Sequence, residues 1–195
     1  MDTDSLRYAG FWPRLGALLL DLLIWLPLIG LTLWIWKQQQ HRLLMLYFFV
    51  FIMLFGLFYS VYLVQRFGGT PGKLVMGVRI RKLNGEPVGY REAFLRYFPE
   101  FLFGLLMNVA MIYALLHISD SAYQTLSLSE RSVRLAMLAP SWYRPVNIVD
   151  HVWVWGELVV LLTNRKRRAL HDFIAGTVVV HMSANEALKS AMDRT

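Results

Sequence analysis

The chain has 195 residues, of which 56% are apolar and only 17% carry a charge. Together with several long apolar runs, this composition excludes an ordinary soluble domain and indicates an integral membrane protein. The absence of cysteine excludes disulfides, thiolate metal sites and cysteine nucleophiles. The net charge of +7 is attributed to basic residues beside the apolar runs, so no nucleic-acid partner is expected.

The first apolar run, residues 15–36, predicts a membrane-spanning helix. At the rise of an α-helix it would extend about 33 Å, which is enough to cross the hydrocarbon core. The run is too long for the apolar part of a signal peptide, so it is expected to remain as an anchor. Asp21 lies about two turns inside it, where a carboxylate costs about 2–3 kcal/mol on insertion scales. This residue therefore needs a partner, a proton or a cation.

Three further spans are predicted at 43–64, 97–118 and 146–163. The second carries no formal charge, whereas the third contains Glu100 and Asn108 and the fourth contains Glu157. The expected fold class is an all-α membrane protein, a bundle of four transmembrane helices.

The domain organisation follows from these spans. Residues 7–182 are expected to form the membrane domain, and 183–195 a short polar C-terminal tail.

The loop between the second and third spans carries a strand pattern, because apolar and other residues alternate over 74–81. Asn84-Gly85 then predicts a hairpin, with Pro87 restricting the return strand to an edge. A strand-like run at 176–181 predicts that a small cytoplasmic sheet joins these segments. In the loop after the third span, Ser127 and Glu130 predict a capping box that opens an amphipathic helix on the outer surface.

The distribution of lysine and arginine predicts the orientation. With the N-terminus inside, fifteen basic residues lie on the cytoplasmic side and five on the outer side. Both termini are therefore expected to be cytoplasmic.

The intramembrane polar residues are expected to share the inner half of the bundle. Asp21 and Glu157 both lie about 9 Å from the cytoplasmic interface, with Glu100 slightly shallower and Asn108 deeper. In one interpretation these residues form a cation or proton site, the usual role of acids inside membranes. In the other, Asp21 forms hydrogen bonds with neighbouring helices or the tail, and Glu100 lies at the interface and points to water.

Other motifs exclude common enzymatic sites. The segment Gly69–Lys73 (GTPGK) lacks the first glycine and the Ser/Thr of a phosphate-binding loop. No HExxH or GxSxG pattern occurs, so we expect neither an enzyme, nor a metal site, nor a cofactor. The basic run Arg165, Lys166, Arg167 and Arg168 predicts contact with lipid headgroups.

Three segments resemble the RDD family of membrane proteins: Phe11-Trp-Pro-Arg14 followed by Ala17 and Asp21, the GTPGK segment with Gly77, and Leu170–Thr177. By match to these motifs, the one arginine and two aspartates that name the family would be Arg14, Asp21 and Asp172. The resemblance covers roughly residues 7–182.

The resemblance implies a bacterial inner-membrane protein, for which transport is the usual suggestion and cation/proton antiport is reported for some members. The long loop after the third span departs from the plainest family pattern, so the family does not fix a substrate. Arg14 and Asp172 both fall at the predicted cytoplasmic interface, where we expect them to pair.

Three functional hypotheses remain open. The first is transport of a small cation or proton through a carboxylate site around Asp21, with a homo-oligomer supplying the interior that four helices lack. The second is a non-transporting scaffold or assembly partner for other membrane proteins. The third is lipid handling at the inner leaflet, suggested by the basic and aromatic rim.

Overall fold

A computed structural model describes residues 7–37 and 44–182. Within these residues, four helical segments are long and apolar enough to cross a membrane: Phe11–Lys37, Leu44–Val75, Tyr90–His117 and Tyr143–Thr163. They agree with the four predicted spans, although the second ends at residue 75 and not at 64, and the third begins at residue 90 and not at 97. Leu43 and the predicted tail 183–195 lie outside the described residues.

The first of these segments is one helix, α1 (Phe11–Lys37). The second is interrupted: α2 (Leu44–Leu57) leads into a π-helical turn at Phe58–Tyr62 and then α3 (Leu63–Phe67). Such a turn holds one residue more than an α-helical turn, and it is often found at functional positions. Tyr59, inside this turn, is only 4% exposed.

A short helix at the end of the second segment is followed by a strand. Helix α4 (Pro71–Val75) has proline in its first turn, a position where the missing N–H has no consequence. Strand β1 (Val78–Lys82) comes next, after Gly77 at a φ of +68°. The predicted strand over 74–81 was therefore wrong in its first half, because Pro71 begins a helix that includes Leu74.

The remaining elements are α5 (Tyr90–His117), α6 (Asp120–Thr125), α7 (Leu128–Leu138), α8 (Tyr143–Thr163), α9 (Leu170–Ala175) and β2 (Thr177–His181). The chain divides into two compact units. The first comprises the described parts of 1–24, 57–98 and 155–195, and the second those of 25–56 and 99–154.

The first unit contains a two-stranded antiparallel sheet. β1 pairs with β2, with Val78 opposite His181 and Lys82 opposite Thr177. This pairing confirms the predicted sheet between the loop and the run at 176–181. Apolar side chains from both strands pack with the helical residues Val64 and Ala93 in one core.

The predicted hairpin is present only as its turn. Gly85 adopts a φ of +83° and its N–H donates to the Lys82 carbonyl, but the return segment makes one isolated bridge, Arg81 to Pro87. Proline has no N–H to extend the ladder beyond that point.

In the second unit, Ser127 begins α7 with a capping box. The Glu130 carboxylate accepts from the Ser127 N–H at 2.9 Å, and the Ser127 hydroxyl accepts from the Glu130 N–H at 3.4 Å. Arg131, 1% exposed, donates to the Trp36 carbonyl at 2.7 Å, and its guanidinium lies 4.4 Å from the centre of the Tyr123 ring. These contacts fix α7 to the end of α1. That α7 lies on the outer membrane surface stays a prediction.

Candidate functional site

Asp21 of α1 accepts three hydrogen bonds inside the first unit. Its Oδ1 receives the Tyr59 hydroxyl at 2.5 Å and the Gly72 N–H at 2.7 Å, and its Oδ2 receives the Thr70 hydroxyl at 2.6 Å. Asp21 is 8% exposed, and all three donors are uncharged. The carboxylate therefore fastens the π-helical turn and the start of α4 to α1.

The GTPGK segment provides two of these donors. Thr70 is the residue before α4, in an extended conformation, and Gly72 follows the proline that opens the helix. A Cβ on Gly72 would lie 2.2 Å from the Ala17 carbonyl oxygen and 2.6 Å from Oδ1 of Asp21. Only glycine lets this backbone approach α1 so closely. The loop that superficially resembled a phosphate site thus binds a carboxylate of its own chain.

A second polar cluster surrounds Asp172, which is fully buried on α9. Arg14 donates from Nη1 to Oδ2 at 2.8 Å, and Arg96 of α5 donates to Oδ1. The Ala169 N–H donates to Oδ2 at 3.0 Å and the Thr177 hydroxyl to Oδ1 at 3.2 Å. One carboxylate therefore joins α1, α5, the start of α9 and β2.

Arg14 also binds the turn before α9. Its Nη2 donates to the Arg167 carbonyl at 2.6 Å. Arg167 has a φ of +50°, in the left-handed region that residues other than glycine adopt rarely. The turn is therefore held in an uncommon conformation with a carbonyl directed at Arg14.

A third contact links His171 to Glu157. Nε2 of His171 lies 2.8 Å from Nη2 of Arg96, and Nδ1 meets Oε1 of Glu157. Since arginine can only donate, Nε2 must accept, and the ring proton lies on Nδ1 facing the carboxylate. The imidazole is then neutral. Consistently, burial and the positive charge of Arg96 lower the pKa of His171 to about 4.

A sequence model of the RDD family matches residues 8–176. The chain belongs to the RDD family. It is similar to the protein named "Uncharacterized protein YckC" of Bacillus subtilis (strain 168), with 27% identity over 180 residues, which is 91% of this chain and 87% of the relative. That relative's name assigns no activity, so the function of this RDD protein has to be argued from its own residues.

The predicted contact between Arg14 and Asp172 is confirmed in this RDD protein. Asp21 belongs to a separate hydrogen-bonded group and, among the described contacts, shares no partner with Glu157. Glu100 is exposed and lies in the second unit, as does Asn108, whose amide donates to the Gly104 carbonyl. That Asp21, Glu157, Glu100 and Asn108 form one ion site stays a prediction.

The basic residues at 165–168 of this RDD protein differ in their surroundings. Arg168 donates to the backbone carbonyls of Thr177 at 3.0 Å and Asp172 at 2.8 Å, so it is engaged within the first unit. Arg165, Lys166 and Arg167 are exposed. Lipid contact by the exposed members stays a prediction.

Sequence reasoning missed five residues that complete these clusters: Tyr59, Thr70, Gly72, Arg96 and His171. The family-like motifs contained Thr70, Gly72 and His171, but they did not say what these residues bind. Arg96 was assigned to the loop because the third span was started at residue 97. No pattern in an uncharged apolar run distinguishes Tyr59 from its aromatic neighbours.

Proposed function

We propose that this RDD protein transports a small cation in exchange for a proton that is carried by Glu157. The observation that supports this is the direct contact of Glu157 with His171, since intramembrane acids paired with titratable groups are typical of proton pathways. Both side chains are partly exposed, at 19% for Glu157 and 17% for His171.

The arrangement around His171 favours the carboxylate as the proton acceptor. An incoming proton would reach the ring only at Nε2, where the Arg96 guanidinium already donates. Glu157 has a second carboxylate oxygen besides the Oε1 that faces His171. Proton uptake then removes the negative charge beside His171 and leaves Asp172 as the counter-ion of Arg96. His171 acts as a positioning residue that holds Glu157 through its ring and its backbone N–H.

This proposal moves the ion-handling role away from Asp21. Three donors fill three of the roughly four acceptor positions of the Asp21 carboxylate, and displacing any of them for a cation would loosen α4 or the π-helical turn. Asp21 is therefore assigned to holding the first unit together.

We further infer that the chain is a bacterial inner-membrane protein, as the family resemblance implies. Both termini are placed in the cytoplasm, because in this orientation fifteen basic residues lie on the inner side and five on the outer side. A homo-oligomer stays a prediction.

The test is proton flux in proteoliposomes that contain a pH-sensitive dye and an imposed gradient of Na⁺ or K⁺. We expect Glu157→Gln to lower the flux at least tenfold. The matched control is Glu86→Gln, which removes an exposed loop acid whose carboxylate lies 3.6 Å from Lys82 Nζ. Wild-type flux no higher than that of empty liposomes would overturn transport, and wild-type flux in Glu157→Gln would remove Glu157 from it.

A second candidate is a non-transporting membrane scaffold. It is favoured by the fact that Arg14, Asp21 and Asp172 all direct their charged atoms at partners within the chain. Under this alternative, wild-type protein carries no flux, and Glu157→Gln changes only the melting temperature.

A further inference from the structure

The second unit contains an apolar cavity of about 220 Å³ among residues of α1, α2 and α5. Eleven of its thirteen lining residues are apolar, and Trp25, Trp36, Phe48 and Phe49 are among them. An apolar cavity of about 150 Å³ already accepts a benzene-sized molecule. Water is a poor occupant because it needs two to four polar partners.

The two polar lining residues are Thr32 and Asn108. The Thr32 hydroxyl donates to the Leu28 carbonyl at 2.7 Å, so its oxygen can only accept a further hydrogen bond. Asn108 donates one amide hydrogen to the Gly104 carbonyl at 2.7 Å, which leaves the second amide hydrogen and Oδ1. The lining thus offers one neutral donor and neutral acceptors, the complement of a hydroxyl group.

No acidic or basic residue is among the described residues that line the cavity. A charged headgroup would therefore find no counter-charge among these described residues, at a high desolvation cost. An uncharged chain with a single hydroxyl meets no such cost. Because the three helices are candidate membrane spans, such a molecule reaches the cavity from the hydrocarbon of the bilayer.

We propose that this cavity binds a membrane-soluble alcohol, with the hydrocarbon chain against the aromatic residues and the hydroxyl at Asn108 and Thr32. This site is independent of the Glu157–His171 pair. Asn108 determines the preference for an alcohol over a hydrocarbon, and the apolar residues provide the affinity for the chain.

Fluorine NMR on the full chain in phosphatidylcholine nanodiscs tests the site. The probes are a hexanol with a terminal trifluoromethyl group and the matching trifluoromethyl alkane, which are small enough for a cavity of this volume. We expect a bound resonance, distinct from that of the probe in lipid, with at least tenfold tighter binding of the alcohol. Equal binding of the two probes, or no bound resonance, overturns the proposal.

Three variants locate the probe. Ile52→Trp fills the cavity and is expected to abolish the bound resonance, whereas Val50→Trp adds the same side chain at an exposed position of α2 and is expected to keep it. Asn108→Leu nearly conserves volume and should reduce the preference for the alcohol to the part that Thr32 still supports, well below tenfold. This variant keeps the test decisive if Ile52→Trp does not fold. Persistence of the full alcohol preference in Asn108→Leu, or of the bound resonance in Ile52→Trp, contradicts the assignment.

Discussion

Arg14 and Asp172 are 158 positions apart in the chain, yet Nη1 of the first lies 2.8 Å from Oδ2 of the second. Asp172 is fully buried, and its other carboxylate oxygen contacts Arg96. The contact between the first helix and α9 is therefore not an isolated surface ion pair, which would contribute little to stability. It belongs to a buried cluster in which each group depends on the others.

Replacing Arg14 and Asp172 by alanine should be strongly non-additive. Removing one partner of a buried pair typically costs about 3–5 kcal/mol, because the other charge is left uncompensated. We expect Asp172→Ala to be worse than Arg14→Ala, since it also strips Arg96 of its carboxylate. The double variant should be little worse than Asp172→Ala alone. Melting temperatures in detergent measure the cycle, and full additivity contradicts the coupling.

Asp21→Asn should destabilise the protein, because the NH2 group that replaces one carboxylate oxygen cannot accept a hydrogen bond. A hydrogen bond to a charged group contributes about 1.5–3 kcal/mol. Tyr59→Phe removes a single donor and should lower the free energy of unfolding by less. Denaturant titration in mild detergent compares the two, and an Asp21→Asn variant as stable as wild type would exclude the fastening role.

Gly72→Ala should disrupt the same contact through sterics alone. The added methyl group would lie 2.2 Å from the Ala17 carbonyl oxygen, far inside van der Waals contact. The matched control is Gly30→Ala, whose Cβ meets nothing within 4 Å and which lies inside α1. We expect a lower melting temperature only for Gly72→Ala, whereas an equal response of both variants would argue against a close approach at Gly72.

Acidification should destabilise the first unit through His171. Its pKa is about 4 in the folded protein against an ordinary value of 6.5, so the unfolded chain binds more protons between these two values. The free energy of unfolding should therefore fall as the pH drops from about 6.5 to about 4. Arg96, Glu157 and Lys73 are the charged groups that act on the ring, and Asp172 lies 4.0 Å from it.

Thermal unfolding across this pH range measures the effect. His171→Gln should flatten the profile, and the exposed His181→Gln serves as the control that retains it. A wild-type profile unchanged between pH 7 and 4 would be incompatible with a neutral His171.

The orientation can be tested cleanly because the chain has no cysteine of its own. We expect Asn84→Cys, in the loop before α5, to react with an impermeant maleimide only after the membrane is opened. Ser129→Cys, in α7, should react in intact spheroplasts. Both side chains are exposed in the structure, so labelling reports the side of the membrane and not burial. The reverse pattern would invert the proposed orientation.

The spans could be predicted from sequence because crossing a bilayer requires a long apolar run, and the run at 43–64 satisfies this with no charge at all. The start of α5 could not be predicted in this way. Arg96 was treated as a loop residue, but it lies inside α5 and pairs with Asp172, which is distant in sequence. The alternating pattern over 74–81 likewise gave a wrong strand prediction for Leu74. Pro71 begins a helix there, and this local effect outweighs the period-two pattern.

The candidate site was only partly accessible to sequence reasoning. The partners Arg14 and Asp172 could be inferred from equal depth and opposite charge. That Asp21 and Glu157 belong to separate hydrogen-bonded groups could not be inferred, because depth along a helix does not specify which neighbour a side chain faces. Tyr59 depends on the π-helical turn, which shifts the direction of the residues around it and has no signature in the sequence.

The contacts around Asp172 can form only late in the synthesis of the chain. The ribosome makes Arg14 and Arg96 well before it makes Asp172, so both arginines are inserted before their carboxylate exists. Until α9 emerges, each guanidinium has to be tolerated near the membrane without that partner. A chain truncated before α9 would retain all four candidate spans but not the carboxylate that joins the first and third of them.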